Sequence, residues 1–147
     1  MTISQAVILC GGYGKRLGKI TLKTPKPLIK VNNKTVLEYI IKYLTRYGID
    51  NVLLLCHYKY SIFKKKFHNK VFCGAKIQCV EEKKPLGSSG ALYNARKKLK
   101  KNFLFCNGDT FFDINLSEVI NYKLKKNEIF LSLVKNHNYK SNKKLTF

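Results

Sequence analysis

The chain has 147 residues and a formal net charge of +21, from 29 lysines and arginines against 8 acidic residues, and 45% of it is hydrophobic. This length predicts one compact domain, and this hydrophobic content excludes an intrinsically disordered chain, which would lack the residues to build a core. No apolar stretch reaches the ~20 residues that cross a bilayer, and no charged segment precedes an apolar one at the N-terminus, so we expect no membrane span, no signal peptide and a cytoplasmic location.

Hydrophobic patterning predicts strands and helices in alternation. The expected strands are 5–10, 51–56, 76–80, 103–106 and 129–134, and the expected helices run from Thr35 to Gly48 and over 60–67, 88–99 and 116–124. The strands are continuous apolar runs, which are typical of a parallel sheet buried on both faces, and Thr35 with Glu38 has the spacing of a helix capping box. The pattern predicts an α/β domain over residues 1–134, with a mainly parallel sheet and helices on both faces, and a polar tail at 135–147.

Ligands of such sheets bind beyond the carboxyl ends of the strands. Four loops are expected there, at 11–24, 57–58, 81–90 and 107–113, and all except the loop at 57–58 carry unusual residues. This coincidence is the main indication of function in the sequence.

The glycine loop, residues 11–24, opens with Gly11, Gly12 and Gly14 and continues with Lys15 and Arg16. Glycines at a strand end let backbone N–H groups approach an anion, and neighbouring cations add positive charge. The spacing fits neither the Walker A loop nor the dinucleotide-binding fingerprint. It favours another kind of phosphate-binding loop over the alternative, an ordinary tight turn.

Lys26 lies between Pro25 and Pro27. Proline fixes its own φ and restricts the residue before it, so this lysine is expected on a stiff, extended backbone. A fixed ammonium group would suit a phosphate. By itself, however, the motif favours a surface lysine in a rigid connection.

Two acidic residues follow the third and fourth predicted strands. Glu82 precedes a turn of small residues at 87–90 that opens a helix, and Asp109 follows strand 103–106. A carboxylate at a strand tip is a candidate ligand for Mg²⁺, which prefers hard oxygen ligands together with substrate phosphates. The alternative for Asp109 is a turn or helix cap.

Four segments in this order resemble the sugar-nucleotidyltransferase family. They are 9–17 (LCGGYGKRL), 25–28 (PKPL), 82–87 (EKKPLG) and Gly108-Asp109 at a strand end. The similarity covers about residues 4–134. It implies a Rossmann-like nucleotidyltransferase fold and transfer of a nucleotidyl group from a nucleoside triphosphate to a sugar 1-phosphate, with release of pyrophosphate.

The resemblance implies a role for each matching residue. The expected nucleotide-binding residues are Leu9, Gly11, Gly12, Gly14, Lys15, Arg16, Lys26, Glu82, Pro85, Gly87 and Ser88. The expected catalytic residues are Arg16 at the β and γ end of the triphosphate, Lys26 on phosphate oxygens, and Asp109 on Mg²⁺ between donor and acceptor phosphates. No protein nucleophile is required, because the sugar phosphate is already an oxyanion.

Glu82 indicates which base is bound. A carboxylate only accepts hydrogen bonds, and guanine offers N1–H and N2–H₂ side by side, whereas thymine and uracil flank one N–H with two carbonyls. The segment is similar to that of mannose and heptose 1-phosphate guanylyltransferases, which favours GTP and one of these sugar phosphates as partners. Cytidylyl transfer stays open, because the cytosine amino group is also a donor.

The chain departs from the family in three respects. Cys10 and Lys15 stand where the family has Ala and Thr, and Ser89 stands where it prefers Gly or Ala. Family members are also longer, and their second half supplies sugar contacts and another metal-binding Asp. We therefore expect a C-terminally truncated domain that binds GTP and Mg²⁺ but turns over poorly.

The positive charge leaves other interpretations open. Of the 29 basic residues, 26 are lysine, whereas recognition of phosphates and base edges favours the arginine fork. We therefore expect a lysine-biased surface, with a basic nucleic-acid-binding module or an inactive nucleotide-binding remnant as the alternatives. Five cysteines without a CxxC pair predict reduced thiols, and the oligomeric state stays open.

Overall fold

The computed structural model describes residues 3–123, 125, 128, 129 and 131. Its central sheet consists of strands β1 (Gln5–Leu9), β4 (Asn51–Cys56), β5 (Lys70–Phe72), β6 (Ala75–Glu81) and β7 (Leu104–Asn107). Their order is β5-β6-β4-β1-β7. Strands β6, β4, β1 and β7 are parallel, and only β5 of the five runs antiparallel to its neighbour. The predicted mainly parallel α/β sheet is confirmed.

Helices cover both faces of this sheet. On one face lie α2 (Val36–Thr45), α3 (Tyr60–Phe67) and α5 (Leu116–Asn121), and on the other lies α4 (Gly87–Ala95). In β4, Val52 and Leu54 pack towards the first three helices, whereas Leu53 and Leu55 pack towards α4. This alternation follows from the two-residue period of a strand, so each central strand contributes to two cores.

Short elements connect β1 to α2. A 3₁₀ turn (Lys15–Leu17) and α1 (Lys19–Lys23) lie inside the glycine loop, and a second 3₁₀ turn (Lys26–Leu28) follows. The hairpin of β2 (Lys30–Val31) and β3 (Lys34–Thr35) then turns at two asparagines with φ of 47° and 69°. Asparagine tolerates this left-handed conformation better than most residues do.

The predicted capping box begins α2. The Glu38 N–H donates to Thr35 Oγ1 at 3.2 Å, and the Thr35 N–H donates to Glu38 Oε2 at 2.7 Å. The other carboxylate oxygen pairs with Lys66 Nζ of α3 at 3.1 Å. One acidic side chain thus caps a helix and links it to its neighbour.

The structure differs from the sequence prediction mainly at the ends of elements. The β2–β3 hairpin and β5 were not predicted, because runs of two or three residues are too short for hydrophobic periodicity to show. The helices expected at 88–99 and 116–124 are shorter, and residue 124 is not among those described.

Part of the prediction concerns residues that the structure does not describe. The polar tail at 135–147 lies wholly outside the described residues, as do residues 130 and 132–134 of the expected fifth strand; Ile129 and Leu131 are described and are not in a strand. Within the described residues, every helix is too short or too polar to cross a membrane.

Gly108 sets how closely the end of β7 approaches β1. Its N–H donates to the Leu9 carbonyl at 2.9 Å, and a Cβ at this position would lie 2.7 Å from Cys10 Sγ and 3.1 Å from the Leu9 oxygen. Because no side chain fits into this gap, glycine is required immediately before Asp109.

We expect Gly108→Ala to lower the free energy of unfolding by about 1–3 kcal/mol, the usual cost of adding an atom to a packed interior. The matched control is Gly12→Ala, because a Cβ on Gly12 meets nothing within 4 Å; its stability should change by less than about 0.5 kcal/mol. Urea denaturation measures both, and equal stabilities for the two variants would contradict the role of Gly108.

Candidate functional site

The carboxyl ends of β1, β4, β6 and β7 lie along one edge of the sheet. Backbone hydrogen bonds extend the ladders beyond the strands: the Cys10 N–H donates to the Leu55 carbonyl at 2.7 Å, and the Glu82 N–H donates to the Cys56 carbonyl at 2.8 Å. The four predicted loops therefore start from fixed points along the same edge.

The glycine loop folds back on itself around Thr21. Gly14 has a φ of 64°, which favours glycine, and a Cβ there would lie only 2.8 Å from the Thr21 methyl group. The buried Thr21 hydroxyl lies 3.2 Å from the Gly14 carbonyl and 3.0 Å from the Gly18 carbonyl, and it donates to them. The loop thus needs Gly14 for its shape and leaves Gly12 exposed at its tip.

Lys26 and Asp109 meet in an ion pair at this edge. Lys26 Nζ lies 2.7 Å from Asp109 Oδ2, and the two side chains are 39% and 33% exposed. A Cβ on Gly14 would lie 3.3 Å from the Lys26 Cβ, so the pair adjoins the glycine loop. The structure brings together three residues that come from three separate sequence motifs.

The backbone of Lys26 is not extended, so that prediction was wrong. Lys26–Leu28 forms a 3₁₀ turn, which the Leu28 N–H closes by donating to the Pro25 carbonyl at 2.8 Å. The φ that proline imposes on residue 27 also suits a 3₁₀ turn. The two prolines therefore stiffen a turn rather than an extended segment.

Asp109 is suited to a cation. Burial acts to raise the pKa of its carboxyl, but hydrogen bonds from Lys26 and Thr110 and the charge of Lys26 outweigh burial and hold the pKa below its ordinary value. An ionised, partly exposed carboxylate is a hard oxygen ligand of the kind Mg²⁺ prefers. The described residues contain no group of three His, Cys, Asp or Glu side chains placed to hold a metal.

Glu82 places a buried carboxylate elsewhere on the same edge. The residue is 4% exposed, and among the described residues no donor forms a hydrogen bond with Oε1. Burial raises the pKa of this carboxyl, although a hydrogen bond from the Leu86 backbone and the proximity of His57 act in the opposite direction. An unpaired buried acceptor costs free energy in the ligand-free protein, and a donor on a ligand would remove that cost.

The first four residues of the glycine loop connect these two acidic sites. A Cβ on Gly11 would lie 3.4 Å from Glu82 Oε1, and a Cβ on Gly14 would lie 3.3 Å from the Lys26 Cβ. Glu82 therefore adjoins one end of residues 11–14, and the Lys26–Asp109 pair adjoins the other.

Tyr13 and His57 also lie at this site, although the sequence motifs did not predict them. His57 Nδ1 lies 2.7 Å from the Glu82 carbonyl oxygen, and His57 Nε2 lies 2.9 Å from the Tyr13 hydroxyl. The sequence feature that could have indicated His57 is its position directly after a predicted parallel strand. Its loop, residues 57–58, contains neither a glycine nor an acid and so showed no motif.

The remaining predicted site residues lie in the loops of the same edge, and no hydrogen bond or ion pair described above links them to Glu82 or Asp109. They are Leu9 at the end of β1, Lys15 and Arg16 in the 3₁₀ turn of the glycine loop, Pro85 before α4, and Gly87 and Ser88 in its first turn. All except the half-buried Leu9 are exposed, and among the described residues none of them forms an ion pair.

Comparison with known proteins supports the sequence resemblance. The family model described as nucleotidyl transferase matches residues 5–144. A curated relative, D-glycero-alpha-D-manno-heptose 1-phosphate guanylyltransferase of Campylobacter jejuni subsp. jejuni serotype O:2, is 45% identical over 129 residues, which are 88% of this chain and 57% of that protein. Mannose-1-phosphate guanylyltransferase 1 of Arabidopsis thaliana is 38% identical over 125 residues, which are 83% of this chain and 33% of that protein.

The fold is similar to that of a solved structure, HddC from Yersinia pseudotuberculosis complexed with GMP-PN. The TM-score is 0.71 at 29% sequence identity, and the match covers 80% of this chain and 53% of that chain. The chain thus spans about half the length, or less, of the relatives that it matches.

We expect Glu82→Gln to raise the melting temperature of the ligand-free protein at neutral pH, because an amide avoids the cost of a buried charge. The raised pKa means that the folded protein keeps this proton to a higher pH than the unfolded chain does. The ionised Glu82 therefore lowers the stability of the fold once the pH rises past 4.5, the ordinary pKa of a glutamate carboxyl. Below that pH, the stability gained by the substitution should vanish.

Thermal unfolding as a function of pH measures this effect, with Glu81→Gln as the matched control because Glu81 is the exposed neighbour of Glu82. A Glu82→Gln protein no more stable than the wild type at neutral pH would show that the buried carboxylate has a partner in solution.

Proposed function

The chain belongs to the nucleotidyl transferase family, and on that premise we propose that it binds a nucleoside triphosphate, preferentially GTP, for transfer of the nucleotidyl group to a sugar 1-phosphate. The observation that carries the proposal is the position of Glu82 and of the Lys26–Asp109 pair at opposite ends of residues 11–14. A nucleoside triphosphate has hydrogen-bond donors on its base at one end and an anionic, metal-binding chain at the other. The two ends of the site match this chemistry.

The triphosphate is assigned to the Gly14 end of the glycine loop. The exposed backbone at Gly12, the ammonium group of Lys26 and the exposed guanidinium of Arg16 would bind phosphate oxygens there. Asp109 would hold Mg²⁺ beside them, and when bound this ion supplies further positive charge to the phosphates.

The proposed transfer proceeds without a covalent protein intermediate. A phosphate oxygen of the sugar 1-phosphate attacks the α-phosphorus and forms a new P–O bond. The bond from the α-phosphorus to the bridging oxygen breaks, and pyrophosphate leaves with that electron pair. Lys26 and Arg16 would act by orienting the phosphates and neutralising their charge, which accounts for most catalysis of phosphoryl transfer.

The preference for guanine rests on Glu82. Its carboxylate offers only acceptors, and guanine presents two adjacent donors at N1 and N2. Two comparisons support this choice: both of the curated relatives described above are named guanylyltransferases, and the Yersinia neighbour was solved with GMP-PN. CTP is the next candidate, because the cytosine amino group is also a donor.

The acceptor is inferred from the names of the relatives, and the compartment from the cysteines. The names of the relatives support heptose 1-phosphate or mannose 1-phosphate as the acceptor. The five cysteines are all free, and three of them are buried. Free thiols are typical of the reducing cytoplasm, where we place this protein.

We expect Asp109→Asn to remove the gain in GTP affinity that Mg²⁺ produces, weakening binding in the presence of Mg²⁺ by about tenfold or more, because a metal ligand is lost. Calorimetric titration with Mg²⁺ and with a chelator measures this gain. The fold should persist, since a partly exposed ion pair contributes no more than about 1 kcal/mol.

The matched control for Asp109→Asn is Asp113→Asn, which changes an exposed acid of the same loop. This control should bind GTP and Mg²⁺ like the wild type. Loss of the Mg²⁺ effect in both variants, or in neither, would contradict the assignment of Asp109.

We expect Arg16→Ala to weaken GTP binding by about tenfold, the usual scale for one charged hydrogen bond, and to leave guanosine binding unchanged, because the guanidinium is assigned to the triphosphate. Arg46→Ala is the control, because Arg46 is an exposed arginine at the end of α2. An equal loss of GTP and guanosine affinity, or an equal loss in the two variants, would exclude the proposed role.

A further inference from the structure

We propose that His57 is a positioning residue for base selection, which holds Glu82 with one ring nitrogen and the glycine loop with the other. This inference rests on the proposed function, because it takes Glu82 as the group that selects the base. In the proposed complex, His57 itself touches neither the base nor the phosphates.

The hydrogen bonds of His57 define its tautomer. Its Nδ1 lies 2.7 Å from the Glu82 carbonyl oxygen, which can only accept, so Nδ1 carries the proton and donates. In the neutral ring Nε2 is then an acceptor, and the Tyr13 hydroxyl at 2.9 Å donates to it. The ring thus connects the backbone of Glu82 to a side chain of the glycine loop.

His57 packs against both Gly11 and the Tyr13 ring. A Cβ on Gly11 would lie 3.3 Å from the His57 Cβ and 3.4 Å from Glu82 Oε1, so Gly11, His57 and Glu82 are in close contact. The Tyr13 ring also packs against the rings of His57 and Tyr58, with centroids 5.5 Å and 5.2 Å apart.

The two residues after His57 hold the far part of the glycine loop. The Tyr58 hydroxyl donates to the Thr21 carbonyl at 2.9 Å, and Lys59 Nζ donates to the carbonyls of Leu22 and Lys23. Lys59 has a φ of 54°, an uncommon conformation for lysine. The segment 57–59 therefore contacts the glycine loop at both of its ends.

The hydrogen bonds of the two ring nitrogens should therefore have different effects on nucleotide binding. The bond from Nδ1 fixes the backbone of Glu82, and hence the direction from which its buried carboxylate accepts donors of the base. The bond at Nε2 fixes Tyr13 and the phosphate side of the loop. Loss of the hydrogen bond at Nδ1 should reduce discrimination between bases. Loss of the hydrogen bond at Nε2 should weaken the binding of all nucleoside triphosphates alike.

Two amide variants separate these functions. The amide of His57→Asn reaches the position of Nδ1 and can still donate to the Glu82 carbonyl, whereas the longer His57→Gln side chain carries its amide near the position of Nε2. Tyr13→Phe removes only the hydroxyl. For each full-length variant, calorimetry with Mg²⁺ gives the affinities for GTP and for ITP, which lacks the 2-amino group of guanine.

We expect the wild type to prefer GTP over ITP by about tenfold, the scale of one hydrogen bond to a charged acceptor. His57→Asn should retain this preference, His57→Gln should reduce it to less than about threefold, and Tyr13→Phe should weaken both ligands with the preference unchanged. Melting temperatures report whether each variant folds, and a purely structural role would lower them without changing the preference.

A full GTP preference in a folded His57→Gln protein overturns the positioning role and leaves the proposed function intact. An equal loss of the GTP preference in the folded His57→Asn and His57→Gln variants also overturns it. A wild type that binds GTP and ITP equally overturns the assignment of Glu82 to guanine together with this role of His57.

Discussion

The parallel register of four strands determines where the loops that carry the candidate site begin. β1 pairs Leu9 with Leu55 on one side and with Asn107 on the other, so the three strand ends meet at one level. A slip of one residue would turn inward-facing side chains to the opposite face and exchange the two hydrophobic cores. The alternation of apolar side chains in β4 towards both cores opposes such a slip. The points at which the loops start are fixed for the same reason.

The site combines two acids in opposite surroundings. Glu82 is buried beside Gly11, and burial raises its pKa, whereas Asp109 lies against Lys26, whose hydrogen bond and charge hold its pKa down. Perturbed pKa values cluster at functional sites, and the unpaired buried carboxylate of Glu82 is a cost in stability of the kind found there. In a chain with 8 acidic residues and a net charge of +21, the position of these two acids carries more information than the surplus of lysine.

Much of this arrangement could be predicted from the sequence, because buried parallel strands are continuous apolar runs and their carboxyl ends share one edge. This pattern is enough to place Glu82 and Asp109 at the edge. It does not show that His57 joins Glu82 to Tyr13, since a hydrogen bond between loops depends on side-chain placement that periodicity does not encode. The flanking prolines led to the wrong prediction of an extended backbone at Lys26, because proline restricts φ without deciding between a strand and a turn. The roles assigned to Arg16 and to the start of α4 stay predictions.

In the proposed complex, the base and the triphosphate of one nucleotide bind at opposite ends of residues 11–14. A crystal structure of the protein with GTP and Mg²⁺ would show whether they do. We expect the guanine edge against Glu82, and the phosphates beside Gly14 and Lys26 with the ion on Asp109. A nucleotide bound away from this edge, or bound with its base against the Lys26–Asp109 pair, would contradict it.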